Sequence, residues 1–413
     1  MPIMLRPYTH ENRLFGYLPR YPTDWEPYFD LQNRPYIFTD RALTLLHAGR
    51  WIEAHAGNMP LRGRSGLTKV AFDCDNDVYV LARWRAHAWL LRSTDAGRSF
   101  TAYDLGRDGR LDIEHFCGHN VPPGPPPVLR AIERERDPKL FWRRISDLEL
   151  IVPEQRGGRL HVPDPILLSR NSLGVGTHSG LAASIVSGGS RIHVVWAEAT
   201  DPADKVPGVP TYVVTYDRAE RRLLGEPVLV GYGAPPNDIH NRPSIAIDSR
   251  GYLHVLTGTH GRPFRYARSL QPNTAHAGWT RAEPVGPGLP QTYIGMVCGR
   301  DDTLHLVYRL WRRRRQPHPL ATYAALAYQR KRPGQPWEPP RMLLLAPFSE
   351  YSIYYHRLTI DRLGRLFLSY DYWSTYWFYR NDHPGHRRAL IMSADSGETW
   401  KLVSQADLER LTN

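Results

Sequence analysis

An all-β fold, a single-domain seven-bladed β-propeller, is predicted by three observations. One layout recurs along the chain: an irregular lead-in, a strand, a Gly turn, and a second strand rich in aromatic or β-branched residues. Four copies can be laid over one another, starting at His178-Ser-Gly-Leu, His240-Asn-Arg-Pro, Tyr293-Ile-Gly-Met and His356-Arg-Leu-Thr, with a fifth, weaker copy from Thr68 to Arg83. The period of roughly 50 residues is that of propellers and solenoids, in which each unit is too small to bury its own hydrophobic face. Composition agrees: 36 Pro and 33 Gly supply the turns that many short strands need, and 41% hydrophobic content over 413 residues allows a substantial core.

Taken in order, residues 1–65 carry no clear copy of the repeat and read as an N-terminal closing segment, in which Tyr36-Ile-Phe-Thr and the stretch around Trp51 supply strands. Residues 66–413 read as consecutive blades with boundaries near 106, 171, 231, 286 and 346, and the N-terminal stretch makes seven. The Pro-rich stretches Pro122–Pro127 and Pro333–Pro340 read as loops within the ring, because strand patterns resume on either side. Helical periodicity is sparse, and its best candidate is the short segment Val128 to Glu135. Since successive blades place His178, His240, Tyr293 and His356 at one equivalent position, polar groups should collect at one end of the central axis.

The formal charge of +12 points to an anionic partner, nucleic acid or acidic polysaccharide. No recognition helix, zinc-finger spacing or RNA-binding signature accompanies it, so the expected partner is an anionic polysaccharide or oligosaccharide, without nucleic acid or membrane, and the expected state is a monomer. The densest basic cluster, Arg312-Arg-Arg-Arg315, reads as a strand end entering a loop, with a solvated surface as its simplest role. Cys74, Cys117 and Cys298 form no disulfide framework and read as reduced thiols. No apolar run is long enough to span a bilayer, and the start from Met1 to Tyr8 lacks the regions of a secretory signal. Such a chain is expected to be cytoplasmic, or a mature secreted or periplasmic form.

Ser93-Thr-Asp-Ala-Gly-Arg-Ser-Phe100 and Ser393-Ala-Asp-Ser-Gly-Glu-Thr-Trp400 share the pattern Ser-x-Asp-x-Gly-x-x-aromatic. In such a hairpin Asp and Ser bond backbone amides while Gly permits positive φ. These segments resemble the Asp box, or BNR repeat, of sialidases and related propellers, where the box is structural and lies away from the catalytic centre. A second stretch, Asp238-Ile-His240-Asn-Arg-Pro to Gly258-Thr-His260, followed by Phe264-Arg-Tyr266-Ala-Arg, resembles BNR-repeat propeller polysaccharide lyases, of which the ulvan lyases are best understood. In that group two histidines are followed by a Tyr and then an Arg on the next blade. The matching residues here are His240 and His260, twenty apart, then Tyr293 and Arg309, sixteen apart. Gly124-Pro-Pro-Pro and Thr177-His178-Ser-Gly also look familial, so the resemblance covers roughly residues 60 to 400.

The resemblance implies β-elimination on a uronic-acid glycan, with a sulfated, ulvan-like polymer as the leading substrate. The chemistry explains the residue types. The C5 proton beside a charged carboxylate is only weakly acidic, so a cationic or hydrogen-bonding cradle must neutralise the carboxylate and the enolate-like charge that develops. Arg309 suits that role by bidentate binding, with His260 beside it. Tyr293 and His240 then serve as general base and acid in either assignment, provided neighbouring cations lower the tyrosine pKa. His178 and His356 are expected to contact substrate from equivalent blade positions, and Asn241 to bond the substrate carboxylate or to form an Asx turn before Pro243.

Each residue also has a plainer reading. The histidines could be buried and bonded to carbonyls, Tyr293 could be a sheet-edge residue, and Arg309 could pair with Asp301 or Asp302. Catalysis needs no cofactor in this reading; a structural zinc is suggested by the family, with His115, Cys117 and His119, or Cys298 and His356, as possible ligands but no characteristic spacing. A sialidase would need an Arg-Ile-Pro stretch, which is missing, and a two-carboxylate hydrolase would need an Asp/Glu pair where His and Tyr stand. The remaining alternative is a non-catalytic propeller that binds an acidic glycan through aromatic runs such as Tyr370 to Tyr379.

Overall fold

In a computed structural model, residues 3–4, 25–39, 42–47, 49–56, 69–136, 144–176, 179–201, 206–314, 321–345, 353–372 and 387–410 are described. They build seven antiparallel sheets of four main strands each, consecutive in the chain: blade 1 at 27–53, blade 2 at 70–107, blade 3 at 110–172, blade 4 at 185–233, blade 5 at 244–285, blade 6 at 291–345 and blade 7 at 353–402. First strands touch from blade 4 through blade 7, the first strand of blade 3 meets the second of blade 2, and Pro27–Phe29 of blade 1 meets Ile353–Ile360 of blade 7, which closes the ring. The fold is an all-β propeller. Small additions decorate it: a hairpin, Glu154–Arg156 with Arg159–His161, in blade 3, and Ile3–Met4 paired in parallel with the outer strand Arg341–Leu345 of blade 6.

The core lies between blades, where alternate residues of the strands meet the next sheet. One cluster joins Val195 and Val213 of blade 4, Ile245 and Val255 of blade 5, Val297 and Val307 of blade 6, and Leu358 and Leu368 of blade 7. Another joins Leu45 of blade 1 to Val70 and Val80 of blade 2. Each such aliphatic side chain contributes roughly 1.5–3 kcal/mol on burial. The segment expected as a helix, Val128 to Glu135, is instead part of the strand Val128–Arg136, paired on both sides with Arg110–Ile113 and Arg144–Ile151. Val128–Ala131 is paired on both sides and the rest of the strand on one, and that tertiary pairing overrides a weak local preference. The strand Leu304–Arg314 likewise runs on through Arg312–Arg314, so the basic cluster begins inside a sheet rather than in a loop.

Both Ser-x-Asp-x-Gly segments connect third to fourth strands, in blades 2 and 7. The two are alike bond for bond. Gly97 N donates to Ser93 Oγ at 2.8 Å and Ser99 N to Asp95 Oδ1 at 2.9 Å, while Gly397 N donates to Ser393 Oγ at 2.9 Å and Thr399 N to Asp395 Oδ1 at 2.9 Å. Burial raises the Asp95 pKa, but the Ser93 and Ser99 hydrogen bonds outweigh it and hold the carboxyl at about 2. A carboxylate depressed in the folded state adds stability above its unfolded pKa of about 4, and loses it as pH falls towards the folded value. Asp95→Asn is therefore expected to lower the melting temperature at pH 7 by more than at pH 3. A deficit that does not change with pH would show that the charge contributes nothing.

A second turn recurs on the same end of the blades, between first and second strands. Asp30, Asp73, Asp248 and Asp361 each accept from the backbone amides two and four residues on, and residue three on, Asn33, Asn76, Gly251 or Gly364, takes positive φ. Blade 1 thus carries the same device as blades 2, 5 and 7.

Candidate active site

The opposite end of the blades holds the loops that enter each sheet and those joining second to third strands. His240 lies on the entry to blade 5, and His260 between Leu253–Thr257 and Phe264–Arg268 of that blade. Tyr293 and Arg309 lie on the first and second strands of blade 6, Gln291–Cys298 and Leu304–Arg314. The four converge. The His240 and His260 ring centroids are 4.5 Å apart, and Tyr293 lies 5.7 Å from the first and 6.3 Å from the second. The Arg309 guanidinium packs 4.6 Å from the Tyr293 ring centroid and 4.7 Å from that of Trp311. Arg309 does not pair with Asp301, which holds Thr303, nor with Asp302, which holds Ser249 and lies against His119.

Asp238, to which motif and spacing assigned no role, organises the two histidines. One of its oxygens meets His240 Nδ1 and the other lies 2.8 Å from His260 Nδ1. The side chain is 7% exposed. Burial would raise its pKa, yet hydrogen bonds from His240 and His260 hold it well below the usual carboxylate range. A carboxylate fixed on both Nδ1 atoms selects Nδ1–H on each ring and turns each Nε2 away from it. Asp238→Asn is expected to cut turnover by about 10- to 100-fold, the usual cost of losing a partner that orients a functional imidazole. Turnover within twofold of the parent would remove that orienting role.

Local backbone chemistry explains the convergence. Tyr293 has φ 62°, in the left-handed region that a large L-residue rarely adopts. It sits where pairing between the two strands slips between Thr292 and Gly295, a bulge of the kind that re-aims side chains beside active sites. Gly180 permits this close packing: a Cβ there would lie 2.2 Å from the Ile294 carbonyl oxygen, and its φ is 89°. The His260 loop is sewn to the same strand, with Gly261 N donating to the Gln291 carbonyl at 2.9 Å and to Thr292 Oγ1 at 3.0 Å.

The remaining candidates lie elsewhere. His356 is fully buried; Nε2 meets the Tyr293 carbonyl at 3.0 Å and Nδ1 the Ser179 hydroxyl at 3.2 Å, and burial pushes its pKa down to about 3. It braces the bulge beneath Tyr293. Asn241 is also fully buried, donating to the Pro235 carbonyl under the entry loop. Neither side chain presents surface to a glycan in this conformation, and Arg309, 1% exposed between the Tyr293 and Trp311 rings, shares that burial, whereas the His260 side chain is 33% exposed. His178 lies outside the described residues. Of the aromatic run, Tyr370 is buried in the strand Leu366–Tyr372, and residues 373–386 lie outside the described residues.

The possible zinc ligands regroup as well. Cys117 Sγ faces Asn120 Oδ1 at 3.2 Å, while His119, Cys298 and Asp302 bring one ligand atom each within 4.8 Å of one another. This set of nitrogen, sulfur and oxygen donors is of the kind that zinc takes. Asp238, His240 and His260 likewise bring one ligand atom each within 4.8 Å of one another.

Residues 211–411 match the family described as BNR repeat-containing family member. The matched span takes in Asp238, His240, His260, Tyr293 and Arg309. No curated protein matches the sequence significantly. Among solved structures, the chain is similar to a GH74 xyloglucanase from Xanthomonas campestris at 17% identity and TM-score 0.38, over 92% of this chain and 45% of that one. An alpha-L-arabinanase from Penicillium chrysogenum complexed with arabinobiose is similar at 11% identity and TM-score 0.38, over 74% of this chain and 88% of that one. A xylan beta-1,4-xylosidase from Bacillus halodurans is similar at 11% identity and TM-score 0.35, over 85% and 84%. The chain thus spans less than half of the xyloglucanase, and these likenesses give no residue a role.

Proposed function

We propose that the protein is a polysaccharide lyase that cleaves a uronic-acid-containing glycan by β-elimination. The observation that carries this reading is the cluster of two histidines on one carboxylate, facing a tyrosine that is backed by an arginine. A two-carboxylate hydrolase needs a second Asp or Glu across the cleft. Among the described residues this cluster contains only Asp238, and both of its oxygens are committed to imidazoles.

In the proposed reaction His260 meets the uronate carboxylate and the buried Arg309 guanidinium adds positive charge from behind the Tyr293 ring, which lets negative charge spread from C5 as its proton leaves. Tyr293 and His240 supply the base and the acid. One takes the C5 proton, the C5–H electron pair becomes the C4=C5 double bond, the C4–O4 bond breaks, and the other protonates O4 of the departing sugar. The products are an unsaturated uronide and a new reducing end. A structural zinc, where bound, would be held by His119, Cys298 and Asp302; it would add rigidity, and no step passes through it.

Ulvan is the leading substrate by resemblance, and its sulfates suit the formal charge of +12. The test is ultraviolet absorbance of the unsaturated uronide with ulvan, other glucuronate polymers and their oligomers. Rising absorbance on a uronate glycan is expected. A flat trace across the panel would overturn the lyase reading, and binding without cleavage would leave a glycan-binding propeller.

A further inference from the structure

Between blades 2 and 3 lies a cavity of about 430 Å³, whose charged lining is Arg83, Arg107, Arg110 and Arg144 against Asp108 and Glu133. It opens on the same end of the blades as the candidate active site. Arg83 lies near the end of the second strand of blade 2, Arg107 and Arg110 flank the passage from blade 2 to blade 3, and Arg144 begins the third strand of blade 3. These are the loop positions that carry His240 and His260 in blade 5.

The two carboxylates are already engaged. Asp108 lies 2.8 Å from Arg83 Nε, and the Glu133 oxygens take Arg136 at 2.8 and 3.0 Å, with Arg144 at 3.6 Å. Arg107 and Arg110 make no side-chain hydrogen bond or ion pair among the described residues. Arg110 is half-buried, and its pKa is lowered first by burial and then by Arg144, with Arg83 and Arg136 adding to the effect and Glu133 opposing it. Four guanidiniums line the recess with two committed carboxylates, and Arg110 feels Glu133 without forming an ion pair with it.

The recess is joined to the catalytic cluster. Its wall residue Leu173 is followed by Gly174, whose carbonyl accepts from the buried Arg242, two residues after His240. Arg242 lies in the fields of Arg110 and Arg144 as well as that of Asp238. Resting on the glycan reading above, we infer that this recess is an anionic subsite in which Arg110 and Arg107 bind a sulfate or carboxylate of the glycan chain away from the bond that is cut.

The test uses the full-length protein and the Arg110→Gln and Arg107→Gln variants, which leave the catalytic cluster untouched. On ulvan, KM is expected to rise about three- to tenfold with kcat unchanged, as for one partly exposed charge contact. The shortest cleavable oligomer should show no change. Calorimetric binding of ulvan to the Tyr293→Phe protein, with and without Arg110→Gln, reads the subsite without turnover. Loss of the Arg110 effect on desulfated ulvan identifies sulfate as the bound group, and its persistence identifies carboxylate. Parent-like KM and affinity in both variants would overturn the subsite even if the lyase is active. Weakened binding in Arg110→Gln, with no cleavage by the parent, would sustain the subsite and sink the lyase.

Discussion

Tyr293→Phe is expected to reduce turnover of a uronate glycan by about 10²–10⁴-fold, the range that a positioned proton-transfer group supplies. The substitution removes one oxygen and leaves what shapes the cluster. A phenylalanine ring keeps the packing against His240 and His260 and the face on which Arg309 lies. The left-handed φ of 62° belongs to the bulge, braced from below by His356 and by the close approach of Gly180, and it is equally strained for either aromatic residue. The circular dichroism spectrum and melting temperature should therefore match the parent, and the loss should fall on kcat rather than KM. Turnover near the parental rate in a folded Tyr293→Phe protein would exclude the phenol from proton transfer and leave His240 or His260 to act without it.

Much of this arrangement was legible in the sequence because it repeats. The Gly turns between paired strands recur at a period that propellers and solenoids share, and together with the Ser-x-Asp-x-Gly hairpins they mark blades 2 and 4 to 7, while blade 3 was bounded only by its neighbours. Blade 1 escaped the repeat, its turn carrying Asn33 where blades 5 and 7 carry Gly. Its signal was nevertheless present: Asp30-Leu-Gln-Asn33-Arg34 has the side-chain-to-amide pattern of Asp248-Ser-Arg-Gly251-Tyr252, with Asn in place of Gly at the left-handed position. The strand Val128–Arg136 was obscured for the opposite reason. Its charged outer half carries no alternation, and only its neighbours make it a strand.

At the site, the lyase resemblance named His240, His260, Tyr293 and Arg309 together, but spacing alone could not separate residues that face the cleft from those that support it. His356 shares its blade position with His240 and Tyr293, yet it is fully buried and both its nitrogens are used within the protein. Asp238 was hidden differently. An Asp two residues before a His looks like an ordinary turn residue, and indeed it accepts the His240 amide at 2.8 Å. Its second contact, to His260 on a different loop, exists only after the sheet has formed.

Arg309→Ala is expected to lower kcat and kcat/KM together by about 10²–10³-fold, because the guanidinium is asked to stabilise charge that appears only in the transition state. This substitution also empties a buried position between Tyr293 and Trp311, so part of any loss could arise from a displaced tyrosine. Arg309→Met separates the two effects by filling the space without charge, and Arg309→Lys retains charge but loses the fork that meets a carboxylate bidentately. The expected order of activity is parent, then Lys, then Met and Ala together, with melting temperatures falling most for Ala. Near-parental turnover in the Met variant would show that Arg309 serves only to prop the Tyr293 ring, and the neutralising role would pass to His260 and Asp238-held His240. Inactive Met and Lys variants of parental stability would instead tie catalysis to the guanidinium itself, a buried cation that supports the tyrosine ring and offsets the charge developing beyond it.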